Sequence, residues 1–277
     1  MYLRALLSSG KRPGAVHTLP RLRYVMPKAI LAPAHIAAYA KLCGFSERQG
    51  VPITYPQLLT FPLLMAFFGS AQCPWPAMGT VHLDNRISQL QALNPGDALR
   101  IEVSTGQLIA HEKGQILTLD MQLFRADELV WEATQSLLRI GIPNPIGPAY
   151  VSRQTTDPAL ARQADFVAPS DTGRRFGYIS GDLNPIHVSE LSARLFGFRR
   201  AIAHGMWTKA RALATLMPQD AVSQAEVSAE FKTPLFLPAT ASTWSAPAPI
   251  GSSLRGTCFE VRDEKGEKPH LRGNFSY

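Results

Sequence analysis

The alternation of apolar and polar positions divides the chain into two stretches with the same grammar. In the second half, Leu191, Leu195 and Phe196 recur at helical spacing up to Gly197, which suits a helix stop. A longer helical pattern follows from Ala201 to Leu216, through Met206, Ala210 and Leu213. The period then changes to two. Val227, Ala229 and Phe231 alternate with Ser228, Glu230 and Lys232, as along a half-buried strand. Ala239 to Trp244, Leu254 to Arg262 and Leu271 to Tyr277 read as further strands, the last two joined by the polar turn Asp263 to Lys268. Successive strands joined by tight turns imply an antiparallel sheet.

The first half repeats this plan. Ile36 to Leu42 stands where the apolar-aromatic run Phe176 to Ile179 stands, and Val51 to Phe68 matches the long helix. Val81 to Ile87 matches Val227 to Thr233; Leu99 to Val103, Ile116 to Arg125 and Leu129 to Ile140 supply strands, with Asn94-Pro95-Gly96-Asp97 as a turn. The Pro/Gly-rich run Gly141 to Pro148 reads as connecting chain. The expected class is therefore α+β. It has one unit over residues 1–143, a linker over 144–164 and a second unit over 165–277, their sheets paired so that each hides one edge.

Bulk composition narrows the setting. The 277 residues have room for two units, and 45% hydrophobic with 18% charged residues excludes wholesale disorder. No run reaches the ~20 apolar residues of a membrane span; Leu58 to Phe68 is short and broken by Pro62. Cys43, Cys73 and Cys258 are far apart, which suits buried thiols in a reducing compartment and no disulfide framework or metal ligand set. The start lacks the apolar stretch of a secretory signal, so a cytoplasmic protein is expected. The basic, acid-free first two dozen residues leave an organellar presequence open. The net charge of +7 is scattered, without a basic stripe, so nucleic acid is not an expected partner; a polyanionic small molecule suits the excess.

Candidate chemistry lies in Tyr178-Ile179-Ser180-Gly181-Asp182-Leu183-Asn184-Pro185-Ile186-His187. A carboxylate beside an imidazole on a rigid loop can orient a water and exchange protons with it near neutral pH. Gly-Asp and Asn-Pro are also ordinary turn words, and that plainer reading stays open on spacing alone. Further on, Ile202-Ala203-His204-Gly205-Met206 opens the long helix. A helix start offers unpaired N–H groups to an oxygen that gains negative charge. His204 alone reads more readily as a packing residue at the helix entry, and the backbone of Gly205 is the stronger candidate there.

These two words together resemble the MaoC-like dehydratase family, which includes the (R)-specific enoyl-CoA hydratases. The resemblance implies a double hotdog fold, each unit a curved antiparallel sheet round a long helix. It implies reversible hydration of trans-2-enoyl thioesters to (R)-3-hydroxyacyl thioesters, a hydro-lyase reaction, with Asp182 and His187 holding the water. Asn184 corresponds to the loop-shaping Asn, and the Gly205 backbone to the group that meets the thioester oxygen. His204 and Met206 are expected beside the substrate; Arg199, Arg200, Lys209 and Lys232, basic and near the helix, are candidates for its phosphates, each of which reads also as an ordinary solvated charge. Coenzyme A enters only as part of the substrate, with no separate cofactor or metal. An acyl-carrier protein is the other expected thioester carrier, and a homodimer of double hotdogs a further expectation. A hotdog thioesterase and a non-catalytic acyl-thioester binder are the alternatives.

The first half departs from the motif: Cys43-Gly44-Phe45 stands over Ser180-Gly181-Asp182, and no Asn-Pro-x-His follows. The expectation is one working site and one retired copy, whose apolar helix (Leu58, Leu59, Leu63, Leu64, Phe67, Phe68) either lines an acyl pocket or is plain core.

Overall fold

The repeat in the sequence is a repeat of topology. In a computed structural model that describes residues 16–77, 79–154, 160–247 and 256–277, ten strands form one antiparallel sheet in the order β1-β3-β4-β5-β2-β7-β10-β9-β8-β6. The first unit is β1 (Arg23–Ile30), α1 (Pro33–Cys43), α2 (Pro56–Gly69), β2 (Thr80–Gln89), β3 (Ala98–His111), β4 (Gly114–Arg125) and β5 (Glu128–Ile140). The second is β6 (Ala161–Ala168), α3 (Thr172–Ser180), the short α4 (Pro185–Val188) and α5 (Glu190–Arg194), α6 (Gly205–Leu216), then β7 (Ala225–Phe231), β8 (Ala239–Pro247), β9 (Gly256–Asp263) and β10 (Pro269–Ser276). Within each unit the spatial order is the same, with the strand that follows the long helix innermost. Those two strands, β2 and β7, pair across the seam, Ile87 opposite Val227 and Asn85 opposite Ala229. Each sheet thus covers the other's open edge, and the pair is a double hotdog.

The long helices fill the concave side because both are apolar where the sheet wraps them. α2 buries Leu58, Leu64, Met65, Phe67 and Phe68; α6 buries Trp207, Ala210, Ala212 and Leu213. No helix among the described residues is long and apolar enough to cross a membrane.

Several boundaries shift. Both helices start later than periodicity suggests, α2 at Pro56 and α6 at Gly205. Residues 201–204 are extended instead, because Ala203 N–H donates to Leu235 O and Leu237 N–H to Ala201 O. The run Phe176 to Ile179 belongs to a full helix, α3. The helical spacing of Leu191, Leu195 and Phe196 does not mark a buried face: all three are exposed. The strands β1 and β6 lie at the sheet's two outer edges and carry polar residues and, in β1, Pro27, so they lack the alternation that betrays inner strands. β6 begins at Ala161, inside the segment expected to be linker. Leu254, expected to open a strand, lies outside the described residues.

Candidate active site

The loop after α3 is built by local hydrogen bonds before anything packs on it. Gly181 closes the helix at φ 79°, a left-handed position that favours glycine. Ser180 Oγ accepts from Asp182 N–H at 3.2 Å, and Asp182 Oδ1 from Asn184 N–H at 3.2 Å. Asn184 caps α4, its Oδ1 accepting from Ile186 N–H at 3.4 Å, and Pro185 occupies the first helical position. One turn of helix then presents His187 to the interior.

His187 has a defined tautomer. Its Nδ1 lies 2.8 Å from the carbonyl oxygen of Ile202, and a carbonyl only accepts, so Nδ1 carries the hydrogen. Burial, then the neighbouring His204, pushes the imidazole down to about 3, against weaker upward pulls from Asp182 and the Ile202 carbonyl. The ring is therefore neutral at physiological pH, and among the described residues no hydrogen bond occupies the Nε2 lone pair.

His204 makes the same kind of bond in the other sense. Its Nε2 donates to the backbone oxygen of Asp182 at 2.9 Å and lies 3.7 Å from Asp182 Oδ2. Burial lowers its pKa too, and its buried Nδ1 has no hydrogen-bond partner among the described residues. The His187 and His204 rings stack, centroids 3.7 Å apart. The Asp182 carboxylate and a ring nitrogen of each histidine lie within 4.8 Å of one another, a donor set that suits a held water and equally a cation.

These groups border a cavity of about 380 Å³. The expected residues Asp182, Asn184, His187, His204, Gly205, Met206 and Lys232 all line it. No side chain caps the start of α6, so the first-turn N–H groups of Gly205 and Met206 are free of a side-chain partner at the cavity wall. A Cβ at Gly205 would sit 2.7 Å from the Phe231 ring, so the glycine lets that ring pack against the helix start.

The basic candidates separate. Lys232 lies at the cavity with its Nζ 2.5 Å from Glu230 Oε2. Arg199 and Arg200 stack over Phe236 at 4.5 and 5.9 Å and are not in the cavity wall. Lys209 is a correction: it is fully buried and its Nζ donates to Asn85 O and Oδ1 at 3.2 and 2.6 Å. The sheet closes over this face of α6, so the side chain cannot reach a solvent-borne phosphate.

The first unit builds the far wall. Gly44 ends α1 at φ 84° as Gly181 ends α3, and the next residue, Phe45, is buried core where Asp182 stands in the second unit. Leu58, Leu64 and Phe68 line the cavity, with Phe61 and Met65. Phe67 is core, and Leu59 and Leu63 pack against the core from outside. The copy also contributes residues that sequence reasoning missed. The β2–β5 register slips between His82 and Asp84, and His82 joins the cavity wall with its ring 4.8 Å from Phe231. Burial holds it neutral, pushed down to about 3. His35 on α1 donates from Nε2 to Ile179 O at 2.9 Å and takes the Tyr55 hydroxyl on Nδ1 at 2.9 Å, bracing α3 from the opposite unit. Only a cross-unit contact reveals it.

Residues 151–263 match a family model described as the MaoC like domain. Over 261 residues, covering 91% of this chain and 88% of the relative, the sequence is 32% identical to 3-hydroxyacyl-thioester dehydratase X of Mycobacterium tuberculosis. The chain belongs to the MaoC-like dehydratase family. The structure of this MaoC-like chain resembles the crystal structure of HtdX of Mycobacterium tuberculosis, with a TM-score of 0.75 at 29% identity, over 92% of this chain and 99% of that one. It also resembles a MaoC-like dehydratase from Phytophthora capsici, with a TM-score of 0.77 at 18% identity, over 94% and 95% of the two chains. That second likeness is one of fold.

Proposed function

We propose that this chain catalyses the reversible hydration of trans-2-enoyl thioesters to (R)-3-hydroxyacyl thioesters, at the site formed by Asp182, His187 and the start of α6. The observation that carries the reading is convergence on one cavity of a carboxylate, a neutral imidazole with its acceptor nitrogen free, and an uncapped helix start. The thioester oxygen meets the N–H groups of Gly205 and Met206, which favours negative charge there. Asp182 takes a proton from the water as its oxygen bonds to the β-carbon. His187 Nε2 accepts the water's other hydrogen and fixes its direction. The carboxyl of Asp182 gives that proton to the enolate-like α-carbon, so one O–H bond and the C=C π bond break while one C–O and one C–H bond form. The relative's printed name, a 3-hydroxyacyl-thioester dehydratase, supports the same chemistry in the reverse direction. Coenzyme A or a carrier-protein arm bears the acyl group, with Lys232 the basic group placed at the cavity.

The test follows loss of enoyl absorbance with short, medium and long trans-2-enoyl-CoA. Turnover that falls ~10²-fold or more in Asp182→Asn is expected of an acid–base residue. Full activity in that variant overturns the assignment, and release of free thiol without loss of the double bond makes the chain a thioesterase.

A further inference from the structure

A buried lysine sets the sense of a row of amides that ends in the cavity wall. Among the described residues no carboxylate lies within ion-pairing distance of Lys209 Nζ, which donates to Asn85 Oδ1 at 2.6 Å. An ammonium or amine donor faces the amide oxygen, so the Asn85 nitrogen must point away. It donates to Gln57 Oε1 at 3.3 Å. That fixes Gln57 in turn: its Nε2 faces Gln135 Oε1 at 3.2 Å and Met121 Sδ at 2.9 Å. Gln135 stands opposite Asn85 in the β2–β5 ladder, is almost wholly buried and lines the cavity. With its oxygen taken, its Nε2 hydrogens have no protein partner among the described residues.

The row lies in the unit that lacks the Asp-His pair, against the apolar cavity residues Leu58, Phe61 and Leu64. The hydroxyl of Thr60, also in the wall, is already spent on Gln57 O at 2.7 Å. A purely hydrocarbon chain that filled this end would expel any water and leave the Gln135 donor bare, which is costly in a buried site. A chain carrying an oxygen would replace the lost bond.

We propose that the cavity is built for an acyl chain bearing an oxygen acceptor, whether carbonyl, hydroxyl or carboxylate, that takes its hydrogen bond from Gln135 Nε2. The identity of the thioester rests on the hydratase reading; the chain preference rests on the amide row. A site built to pair a polar group discriminates strongly against the analogue that lacks it.

The experiment uses CoA thioesters of one chain length, plain or with a keto oxygen moved one carbon at a time along the chain. Saturated members give binding by calorimetry, and trans-2-enoyl members give kcat/KM. Turnover of any enoyl member tests the hydratase reading, while the affinity ratio between saturated members tests this proposal independently of catalysis. At least one keto compound should bind about tenfold or more tighter than the plain chain. Gln135→Leu should remove that preference. Gln135→Glu keeps the shape and places an acceptor where the donor stood, so it should reverse the preference. Tighter binding of the plain chain than of every keto compound, or an unchanged ratio in both variants, overturns the proposal.

Discussion

The imidazole of His187 lies against that of His204, centroids 3.7 Å apart and planes 26° from parallel. Each ring spends one N–H on a backbone carbonyl, His187 on Ile202 and His204 on Asp182. The pair therefore ties the carboxylate-bearing loop to the strand-like segment that leads into α6. Two neutral rings can stack in this way; two imidazolium ions could not do so in a buried site.

Protonation should therefore destabilise the fold in acid. His82 and His187 are held near pKa 3 by burial, while in the unfolded chain they titrate near 6.5. Between those values the unfolded state binds more protons, so stability is full above pH ~6.5 and is lost as pH falls toward 3. Each such group contributes a slope of about 1.4 kcal/mol per pH unit inside that window. Thermal melts should show Tm level from pH 7 to 8 and dropping by about 3 °C or more per unit between pH 6 and 4. A flat profile would mean that the rings are charged in the native state.

Replacing Gly173 should damage the site from behind. A Cβ there would sit 2.1 Å from the backbone oxygen of His187, so α3 must move away from α4. Gly173→Ala should cost about 1–3 kcal/mol of stability, as overpacking does, and lower kcat. Gly177→Ala, whose Cβ would meet Asp182 O at 2.8 Å, should be milder. Urea midpoints and steady-state kinetics on the two variants check the order.

The two lysines should separate in kinetics. Lys209→Met strands the Asn85 oxygens, at a cost of about 1–3 kcal/mol, and should leave KM for an acyl-CoA within about twofold in the protein that remains folded. Lys232→Ala removes a charge at the cavity itself and should raise KM with kcat little changed. A rise in KM for Lys209→Met without loss of stability would return that lysine to the substrate.

Filling the far wall should shorten the accepted chain. Leu64 lines the cavity from α2, and Leu64→Trp adds bulk into about 380 Å³ of space. Turnover of long enoyl-CoA should fall by tenfold or more while short chains keep their rate. Equal loss at every length would place the acyl chain elsewhere.

By itself the sequence determined the repeat, the antiparallel class, the loop from Ser180 to His187 and the presence of a long helix ending at Leu216, though not its first residue. Each of these is written in local terms: a period of two or 3.6, a left-handed glycine, a proline at a first helical position. It also determined that the first copy lacks the acid, since Phe45 follows its capping glycine. Tertiary structure decided which side chains face one another. Nothing in the identity of a lysine at position 209 says whether it is solvated or covered; only tertiary packing carries it to Asn85 on β2, where burial pushes its pKa well below the usual value. The register slip after His82 places that ring beside Phe231, and no residue type announces such a slip. His35 reaches Ile179 across 144 positions of chain. The edge strands β1 and β6 are likewise fixed by their neighbours, because a strand paired on one side has little apolar pattern of its own to show.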